Sequence, residues 1–469
     1  MTLITQLCAI VGDAFVLTGS DALPYGQDWM GKYIGQPSAV VCPKNTAQVS
    51  EILKLANENK TPVVPVAGNT GLVGGTFAPE AIMVSLHRMN TIREIRPGAR
   101  IAITEAGVIL SKLHEAADTY DLIFPLFFGA RGSAMIGGNL STNAGGSNVL
   151  RYGNTRALCL GLEVVLPDGR IMNLMSELHK DNAGYDLKDL FIGAEGTLGI
   201  ITAAVLKLLP KPRAYATAMV SATSLPNALI LLNQLQEATG GMVEAFEYMP
   251  RTYLNRMKVA LPDLKPLLGY GRDTTILVEL GATAPRDAAH QSDGSVPVVT
   301  LLEQTLADMI ENGLADDAIV ARSQAQRSEM WKMRESAAEI SSGRTPVIDS
   351  DVAVPLDRVP EFLEQAKDRL SSLDPGAESI TVCHLGDGNL HYTVWPNSHD
   401  KAVHKNISKM IEQLTAELAG SFSAEHGIGL SKLDTMKRYK DPVALSVMHA
   451  IKATLDPNNI MNPGKVLPP

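Results

Sequence analysis

Cysteine is scarce in this chain of 469 residues. The four that occur stand far apart and form no Cys-x-x-Cys pair: Cys8, Cys42, Cys159 and Cys383. This spacing argues against an iron–sulfur cluster or a cysteine-bound zinc ion, because such centres need closely spaced thiolates. The usage of cysteine fits a reducing compartment.

Basic clusters and long apolar runs are missing as well. The formal net charge is −9 and Lys and Arg form no cluster, so a nucleic-acid partner is disfavoured. No run of about 18 apolar residues occurs, so we expect no transmembrane segment. Residues 1–13 lack a basic start and predict a short amphipathic helix rather than a targeting peptide. We expect a cytoplasmic protein, and peripheral attachment to a membrane stays open.

The composition is that of an ordered protein with a substantial core. Apolar residues make up 45% of the chain and charged residues 19%. Domain sizes of about 100–200 residues predict two or three domains. Up to residue 210, strands and helices alternate with short connections, and after Pro210 the pattern predicts a sheet with helices on one side.

A glycine-rich loop follows a strand-like run at residues 61–66. Four glycines fall within eight residues: Gly68, Gly71, Gly74 and Gly75. Glycine permits positive φ and close approach of the backbone, and successive N–H groups in such turns bind anions. The loop matches neither the Walker pattern nor G-x-G-x-x-G. A pyrophosphate site and a plain tight turn are both compatible with this stretch alone.

Two further glycine-rich stretches follow, at residues 137–147 and 193–202. In the first, Asn139, Ser141, Thr142 and Asn143 add hydrogen-bonding side chains between the glycines. Three backbone-rich loops between Pro65 and Thr202 favour one large, flat, phosphate-bearing ligand over three unrelated turns.

The second half of the chain contains the motif His384-Leu-Gly-Asp-Gly-Asn-Leu-His391. Its centre has the composition of a hairpin turn, and a four-residue turn that pairs His384 with His391 would place both imidazoles on one face. Such a pair can share a metal ion, although two structural histidines are the alternative. Glu425, beside His426 in a glycine-flanked loop, is a third ligand candidate or a surface carboxylate. Two His and one carboxylate suit zinc or manganese with an open position.

The three glycine-rich stretches, in this order and spacing, resemble the vanillyl-alcohol-oxidase/PCMH flavoprotein superfamily over residues 35–212. The resemblance implies an extended FAD whose pyrophosphate lies on the 65–75 loop. Some members tether FAD to a His in this loop; Gly68-Asn69-Thr70-Gly71 contains none, so we expect non-covalent FAD. The resemblance implies these FAD-contacting residues: Pro65, Val66, Ala67, Gly68, Asn69, Thr70, Gly71, Gly74, Gly138, Asn139, Thr142, Asn143, Gly145, Gly146, Gly153, Glu195, Gly196, Gly199, Ile201 and Asn462.

The histidine motif, the Glu425-His426-Gly-Ile-Gly429 loop and the closing residues 455–465 resemble the D-lactate/D-2-hydroxyglutarate dehydrogenase branch, related to the glycolate-oxidase flavin subunit. The resemblance implies that His384, His391 and Glu425 bind the metal and that His426 lies beside the substrate hydroxyl as general base. It implies that Arg334 holds the substrate carboxylate; an arginine on a helix surface is the alternative. The implied reaction is FAD- and metal-dependent oxidation of a D-2-hydroxy acid.

The resemblance also implies an architecture. We expect an α+β fold with a two-part PCMH-type FAD-binding domain at 1–212, an α+β substrate or cap domain with the metal hairpin at 213–410, and a C-terminal helical segment at 411–469 that returns to the flavin. Because no iron–sulfur motif is present, electrons should leave to a separate acceptor: an electron-transfer flavoprotein, a cytochrome or a quinone. A homodimer stays open.

Several alternatives remain at this point. The chain could be a D-2-hydroxyglutarate dehydrogenase proper, or a flavin subunit of a larger complex. A metal-free FAD enzyme acting on an alcohol or amine, and a flavin-free metal hydrolase, are further alternatives. Two positions depart from the 2-hydroxyglutarate branch as aligned by its motifs: Asp349 stands where that branch has Lys, and Thr393 where it has Asn. These two residues predict a preference for monocarboxylic substrates.

Overall fold

The structure is a computed structural model that describes residues 2–469. The elements up to residue 210 are α1 (Leu3–Val11), β1 (Val16–Leu17), β2 (Ala39–Val41), α2 (Thr46–Glu58), β3 (Val63–Val66), β4 (Ile82–Ser85), β5 (Ile92–Arg96), β6 (Ile101–Glu105), α3 (Leu110–Asp118), β7 (Leu122–Ile123), α4 (Ile136–Ser141), α5 (Val149–Tyr152), β8 (Cys159–Val165), β9 (Ile171–Leu174), α6 (Lys188–Phe191), β10 (Ile200–Lys207) and β11 (Leu209–Pro210). Short 3₁₀ turns occupy Asp13–Phe15, Gly19–Asp21 and Leu23–Tyr25.

The later elements are β12 (Ala214–Ala222), α7 (Leu225–Thr239), β13 (Val243–Pro250), α8 (Arg251–Ala260), β14 (Thr274–Ala282), α9 (Pro285–Ala288), α10 (Pro297–Glu311), β15 (Ala315–Val320), α11 (Gln324–Glu335), α12 (Ala337–Ser342), β16 (Ile348–Ala353), a 3₁₀ turn (Leu356–Arg358), α13 (Val359–Leu373), β17 (Glu378–His384), β18 (Asn389–Trp395), α14 (Lys401–Glu417), α15 (Leu433–Tyr439) and α16 (Pro442–Leu455). Among residues 2–469, no helix combines the length and the apolar character needed to cross a membrane.

The chain forms two compact units. The first unit contains residues 1–146, 153–210 and 425–469, and the second contains residues 147–152 and 211–424. The predicted domain limits at 212/213 and 410/411 remain predictions. The first unit is built around a four-stranded sheet, in the order β1-β2-β4-β3, and a five-stranded antiparallel sheet, in the order β5-β6-β10-β8-β9.

In the first unit, α2 covers the parallel strands β2, β4 and β3. Its side chains Val49, Ile52 and Leu53 are fully buried, at the helical spacing that the sequence shows. The helix begins at Thr46, but its N-cap is Asn45, whose side chain accepts the Gln48 N–H. Asparagine is among the preferred capping residues, because its side-chain oxygen can accept an N–H of the first helical turn.

The second unit is built on a seven-stranded antiparallel sheet in the order β15-β12-β14-β13-β17-β18-β16. One face packs against α7, α10, α13 and α14 in a large apolar core. The other face packs a smaller apolar cluster against α8, α11 and α12. Helices therefore lie on both faces, where the sequence predicted one, while the α+β class is confirmed.

The hairpin of β17 and β18 differs in register from the prediction. His384 pairs with Asn389, and His391 pairs with Val382, so the two histidines are diagonal rather than opposite neighbours. The turn begins one residue after His384, at Leu385, and ends at Gly388. Because side chains alternate with a period of two, this shift of two residues keeps both histidines on one face.

The hairpin turn yields a test of backbone strain. Gly388 has φ +78°, and a Cβ there would lie 2.2 Å from the Val354 carbonyl oxygen. Gly269 has φ +77°, but a Cβ there would meet nothing within 4 Å. We expect Gly269→Ala to cost about 1–2 kcal/mol of left-handed strain. Gly388→Ala should lower the melting temperature clearly further, since it adds a backbone clash. Equal shifts, measured by circular dichroism, would contradict the steric account.

Candidate active site

The three glycine-rich loops converge within the first unit. A Cβ on Gly138 would lie 3.4 Å from the Ala67 Cβ, and a Cβ on Gly196 would lie 2.4 Å from Pro65 Cγ. The third loop also binds the second, because the Glu195 N–H donates to the Ser141 carbonyl over 2.8 Å. The three loops therefore lie next to one another, as a single large ligand would require.

Within the first loop, side chains and glycines have separate roles. Asn69 holds the loop: its Nδ2 donates to the Gln27 carbonyl and its Oδ1 accepts the Thr76 hydroxyl. Gly68 has no room for a side chain, since a Cβ would lie 2.3 Å from the Ser133 carbonyl oxygen. At Gly71 a Cβ would meet nothing within 4 Å, so the backbone there borders open space.

Two buried polar groups point to a ligand in this unit. Among the described residues, neither Asn139 Nδ2 nor Asn462 Oδ1 has a hydrogen-bond partner, although both residues are buried. Asn462 Nδ2 donates to the carbonyls of Gly75 and Glu195, which places its unpaired oxygen beside the first and third loops. A buried polar atom without a partner is costly. These residues fit the FAD that the sequence resemblance implies.

Other residues assigned to FAD shape the loops. The Thr142 hydroxyl donates to the Gly138 carbonyl, and Asn143 Oδ1 accepts the Arg156 N–H. The remaining predicted contacts are half-buried or buried loop positions, or lie in the adjoining strands, and their roles stay predictions: Val66, Thr70, Gly74, Gly145, Gly146, Gly153, Gly199 and Ile201.

Glu195 has a structural task that the sequence did not reveal. Its carboxylate accepts the backbone N–H groups of Ile428 (2.7 Å) and Gly429 (2.9 Å). Burial raises the pKa of Glu195, although these two hydrogen bonds oppose the rise. A Cβ on Gly427 would lie 2.6 Å from Glu195 Oε1. Glu195 therefore anchors the loop that follows His426.

In the second unit, His384 is held by a buried glutamate. Glu247 on β13 lies directly opposite His384 on β17, and His384 Nδ1–H donates to Glu247 Oε1 over 2.8 Å. Burial alone would raise the pKa of Glu247, but His384 and Arg334 lower it below the ordinary value. A ring nitrogen of His384 lies within 4.8 Å of one of His391, and the ring centroids are 5.3 Å apart. This spacing allows one ion to reach both rings.

Arg334 is not on the helix surface. It is 8% exposed on the inner side of α11, and its Nε donates to Glu247 Oε2 over 2.7 Å. Its Nη2 lies 3.3 Å from His384 Nε2 and 3.5 Å from Nδ1. The structure thus brings three residues together on one face of the sheet: Arg334, His384 and His391.

Asp351 and Asn389 border His391 on the same side. Asp351, which is 3% exposed, lies opposite His391 with its Oδ1 4.0 Å from His391 Nδ1. Asn389 Nδ2 donates to Asp351 Oδ1 over 2.9 Å. A second carboxylate therefore stands within reach of the histidine pair, and it could orient His391 or bind an ion itself.

The two predicted substrate residues Asp349 and Thr393 form a pair. They lie opposite each other on β16 and β18, and the Thr393 hydroxyl donates to Asp349 Oδ1 over 2.7 Å. Thr393 follows His391 by two residues on one strand, so it lies about 7 Å further along the same face.

Glu425 and His426 open the C-terminal segment of the first unit. The preceding Ala424 belongs to the second unit and donates its N–H to the Asp351 carbonyl over 3.4 Å. The assignment of Glu425 as a metal ligand and of His426 as a base stays a prediction.

Sequence reasoning missed Glu247, Asp351 and Asn389 as site residues. Glu247 lies in Val243-Glu-Ala-Phe-Glu-Tyr-Met249, where a charged residue interrupts an apolar, strand-like run. A carboxylate at such a position is expected to have a buried cationic partner, and this was the available signal. Asp351 gave no such signal, because acidic residues at every second position, Asp349 and Asp351, are typical of the exposed face of a strand.

Comparison with protein families identifies the class. The model described as "FAD binding domain" matches residues 37–175, and the model described as "FAD linked oxidases, C-terminal domain" matches residues 211–466. The chain therefore belongs to the FAD-linked oxidase family. One relative is the probable mitochondrial D-2-hydroxyglutarate dehydrogenase of Oryza sativa subsp. indica, 36% identical over 98% of this chain and 80% of the relative. Another is the D-2-hydroxyglutarate dehydrogenase of Stutzerimonas stutzeri (strain A1501), 34% identical over 99% of this chain and 98% of the relative.

A solved structure shows the fold. Substrate-bound p-cresol methylhydroxylase is 18% identical and superposes with a TM-score of 0.75 over 99% of this chain and 96% of its own. This likeness confirms the expected PCMH-type architecture, in which an FAD-binding part is combined with a second α+β part.

The unpaired Asn139 amide yields a test of the FAD site. We expect Asn139→Ala to weaken FAD binding by roughly threefold to tenfold, the range of one net hydrogen bond. The melting temperature of the FAD-free protein should change little, since Asn139 Nδ2 has no hydrogen-bond partner among the described residues. Ser141→Ala is the matched control, because the Ser141 hydroxyl already donates to the Gly137 carbonyl. FAD titration followed by flavin fluorescence measures both, and unchanged affinity in Asn139→Ala would remove Asn139 from the site.

Proposed function

We propose that this chain is an FAD-dependent dehydrogenase that oxidises a D-2-hydroxy acid to the 2-oxo acid. The observation that supports it most is the pair of histidines beside a buried arginine, in a chain whose relatives are named D-2-hydroxyglutarate dehydrogenases. The reaction removes the hydroxyl proton and the C2 hydride, which together are two electrons and two protons. FAD, when bound on the converging loops, would supply the hydride acceptor at flavin N5.

We propose that His384, His391 and Glu425 hold a divalent metal, zinc or manganese. The two imidazoles lie within a shared-ion distance, and Glu425 directly follows Ala424, which is bonded to the strand containing Asp351. Two nitrogens and one carboxylate suit either ion and leave a position for substrate. When bound, the metal supplies the charge that lowers the pKa of the substrate hydroxyl.

We assign the remaining chemistry to two residues of the chain. His426 accepts the hydroxyl proton, since an ordinary imidazole pKa of about 6.5 lies near working pH. Arg334 binds the carboxylate of the substrate through its terminal nitrogens, because its Nε is occupied by Glu247. Its burial keeps the guanidinium away from bulk water, which strengthens the interaction.

The proposal includes non-covalent FAD, a cytoplasmic location and a separate electron acceptor such as an electron-transfer flavoprotein, a cytochrome or a quinone. A second candidate is D-2-hydroxyglutarate dehydrogenase proper, which the names of the relatives favour. A flavin subunit of a larger complex, like that of glycolate oxidase, is a third. Turnover by the purified chain alone with a dye acceptor tests the proposal. If the chain binds FAD but shows no turnover, the flavin-subunit candidate is favoured.

The roles proposed for His384 and His426 predict variants that differ in metal content. His384→Ala should lose the metal and turnover but retain FAD, because its side chain belongs to the second unit and the FAD loops to the first. His426→Asn should retain stoichiometric metal and FAD but reduce flavin at least 100-fold more slowly, the usual contribution of a general base. Metal analysis, flavin absorbance and stopped-flow reduction measure the three quantities.

Each of these outcomes can fail separately. Loss of FAD from a folded His384→Ala protein would contradict two separable sites. Loss of metal from His426→Asn in proportion to activity would make His426 a ligand. If the wild-type protein is active without stoichiometric metal, the proposed metal site is contradicted, whereas the proposed flavin chemistry is not.

The Asp349–Thr393 pair predicts the substrate preference. It lies about 7 Å along the strand from His391, which is the reach of a short 2-hydroxy-acid tail. A second carboxylate at 4 Å from Asp349 would be repelled by about 4 kcal/mol at an effective dielectric of about 20. We therefore propose that D-lactate and longer neutral D-2-hydroxy acids are preferred over D-2-hydroxyglutarate.

Asp349→Lys tests this preference. The variant should raise kcat/KM for D-2-hydroxyglutarate at least tenfold relative to D-lactate, because the repulsive charge becomes attractive. Glu311→Lys is the matched control, since it makes the same charge change at an exposed position of α10, which packs on the opposite face of the sheet. If the wild type prefers D-2-hydroxyglutarate tenfold or more, the charge argument is wrong and the second candidate function is favoured.

A further inference from the structure

Glu247 contacts two groups of the proposed active site at once. It is 1% exposed on β13, and each carboxylate oxygen has its own donor: Oε1 accepts from His384 Nδ1, and Oε2 accepts from Arg334 Nε. The two distances are 2.8 Å and 2.7 Å, which is the range of strong charge-assisted hydrogen bonds. These two hydrogen bonds explain the position of Glu247 without any direct part of its carboxylate in the reaction.

We propose that Glu247 is a positioning residue that sets both His384 and Arg334, an inference that rests on the proposed metal-dependent function. An ionised carboxylate only accepts, so the proton of neutral His384 must lie on Nδ1. The lone pair then lies on Nε2, which would be the ligand atom for a metal. The same carboxylate orients the Arg334 guanidinium through its Nε, which sets Nη2 3.3 Å from His384 Nε2, on the side where the metal and the substrate carboxylate would bind.

A glutamine in this position could not replace the carboxylate. Its amide has one accepting oxygen and one donating nitrogen, so if the oxygen keeps Arg334, the nitrogen faces His384 Nδ1. The imidazole would then turn away or move its proton to Nε2, and either change removes the lone pair that would bind the metal. Loss of a partner behind a metal-binding histidine typically weakens metal binding by about 10–100-fold.

A second buried glutamate on the same face separates positioning from packing. Glu279 on β14 is 3% exposed and accepts Arg327 through Nε and Nη2, and also Trp331 Nε1. Arg327, Trp331 and Arg334 lie on one stripe of α11 at spacings of four and three residues. Glu279 and Glu247 therefore both fasten α11 to the sheet, but the side-chain donors of Glu279 are Thr217, Arg327 and Trp331, whereas those of Glu247 are His384 and Arg334.

The experiment compares Glu247→Gln with Glu279→Gln in the full FAD-containing protein. We expect Glu247→Gln to bind Zn²⁺ about 10–100-fold more weakly, and Glu279→Gln to bind it within about threefold of wild type. Competition with a chromophoric chelator gives the affinities. At saturating Zn²⁺, Glu247→Gln should also raise KM for the 2-hydroxy acid, and Glu279→Gln should not. The visible spectrum of the Co²⁺-loaded protein should change only in Glu247→Gln.

Three results would overturn the inference. Unchanged Zn²⁺ affinity in Glu247→Gln removes the role toward His384, and equal losses in both variants reduce Glu247 to a helix anchor. If Glu247→Gln does not fold, Glu247→Asp keeps the charge but shortens the reach, and wild-type Zn²⁺ affinity and KM in that variant would also overturn it. A wild-type chain that binds no Zn²⁺ refutes the metal site itself, which distinguishes failure of the proposed function from failure of this inference.

Discussion

The need to pair buried charges governs the sheet of the second unit. The face that packs against α8, α11 and α12 contains an apolar cluster and, in the same layer, the carboxylates of Glu247 and Glu279. A buried carboxylate without a partner is strongly disfavoured, so each requires a cation in fixed geometry. Helix α11 provides both, as Arg327 and Arg334, on one stripe. The position of that helix, and through it of the candidate substrate arginine, follows from these two pairs.

The first unit meets a comparable constraint with backbone groups. Its loops present many N–H and C=O groups that no helix or strand can pair, and these must be satisfied individually. Asn69, Asn143 and Asn462 do so with side-chain amides, and Glu195 does so for the loop that follows His426. These side-chain hydrogen bonds hold the loops in a fixed conformation, as a preorganised binding surface requires.

The sequence predicted the elements and the glycine loops well, because both leave local signals. The period of apolar residues indicated the alternating strands and helices up to residue 210, and the three loops were recognised by composition and order. The hairpin register was wrong by two residues, because the four-residue turn lies at residues 385–388, one residue earlier than predicted, although His384 and His391 still share one face. Glu247 was missed because its partners, Arg334 and His384, are 87 and 137 residues away. No window along the chain contains such pairings.

The order of the segments along the chain has a consequence for synthesis. Strand β3, which leads into the first glycine loop, also pairs at its edge with the C-terminus: the Val63 N–H donates to the Ile460 carbonyl, and the Asn462 N–H donates to the Val63 carbonyl. On a ribosome, residues 211–424 emerge as an uninterrupted stretch that can form most of the second unit first. The edge of β3 stays unpaired until residues 460–462 have also been made. A nascent chain that has not reached these residues presents the first glycine loop on an incomplete sheet, so we expect cofactor loading to follow their synthesis.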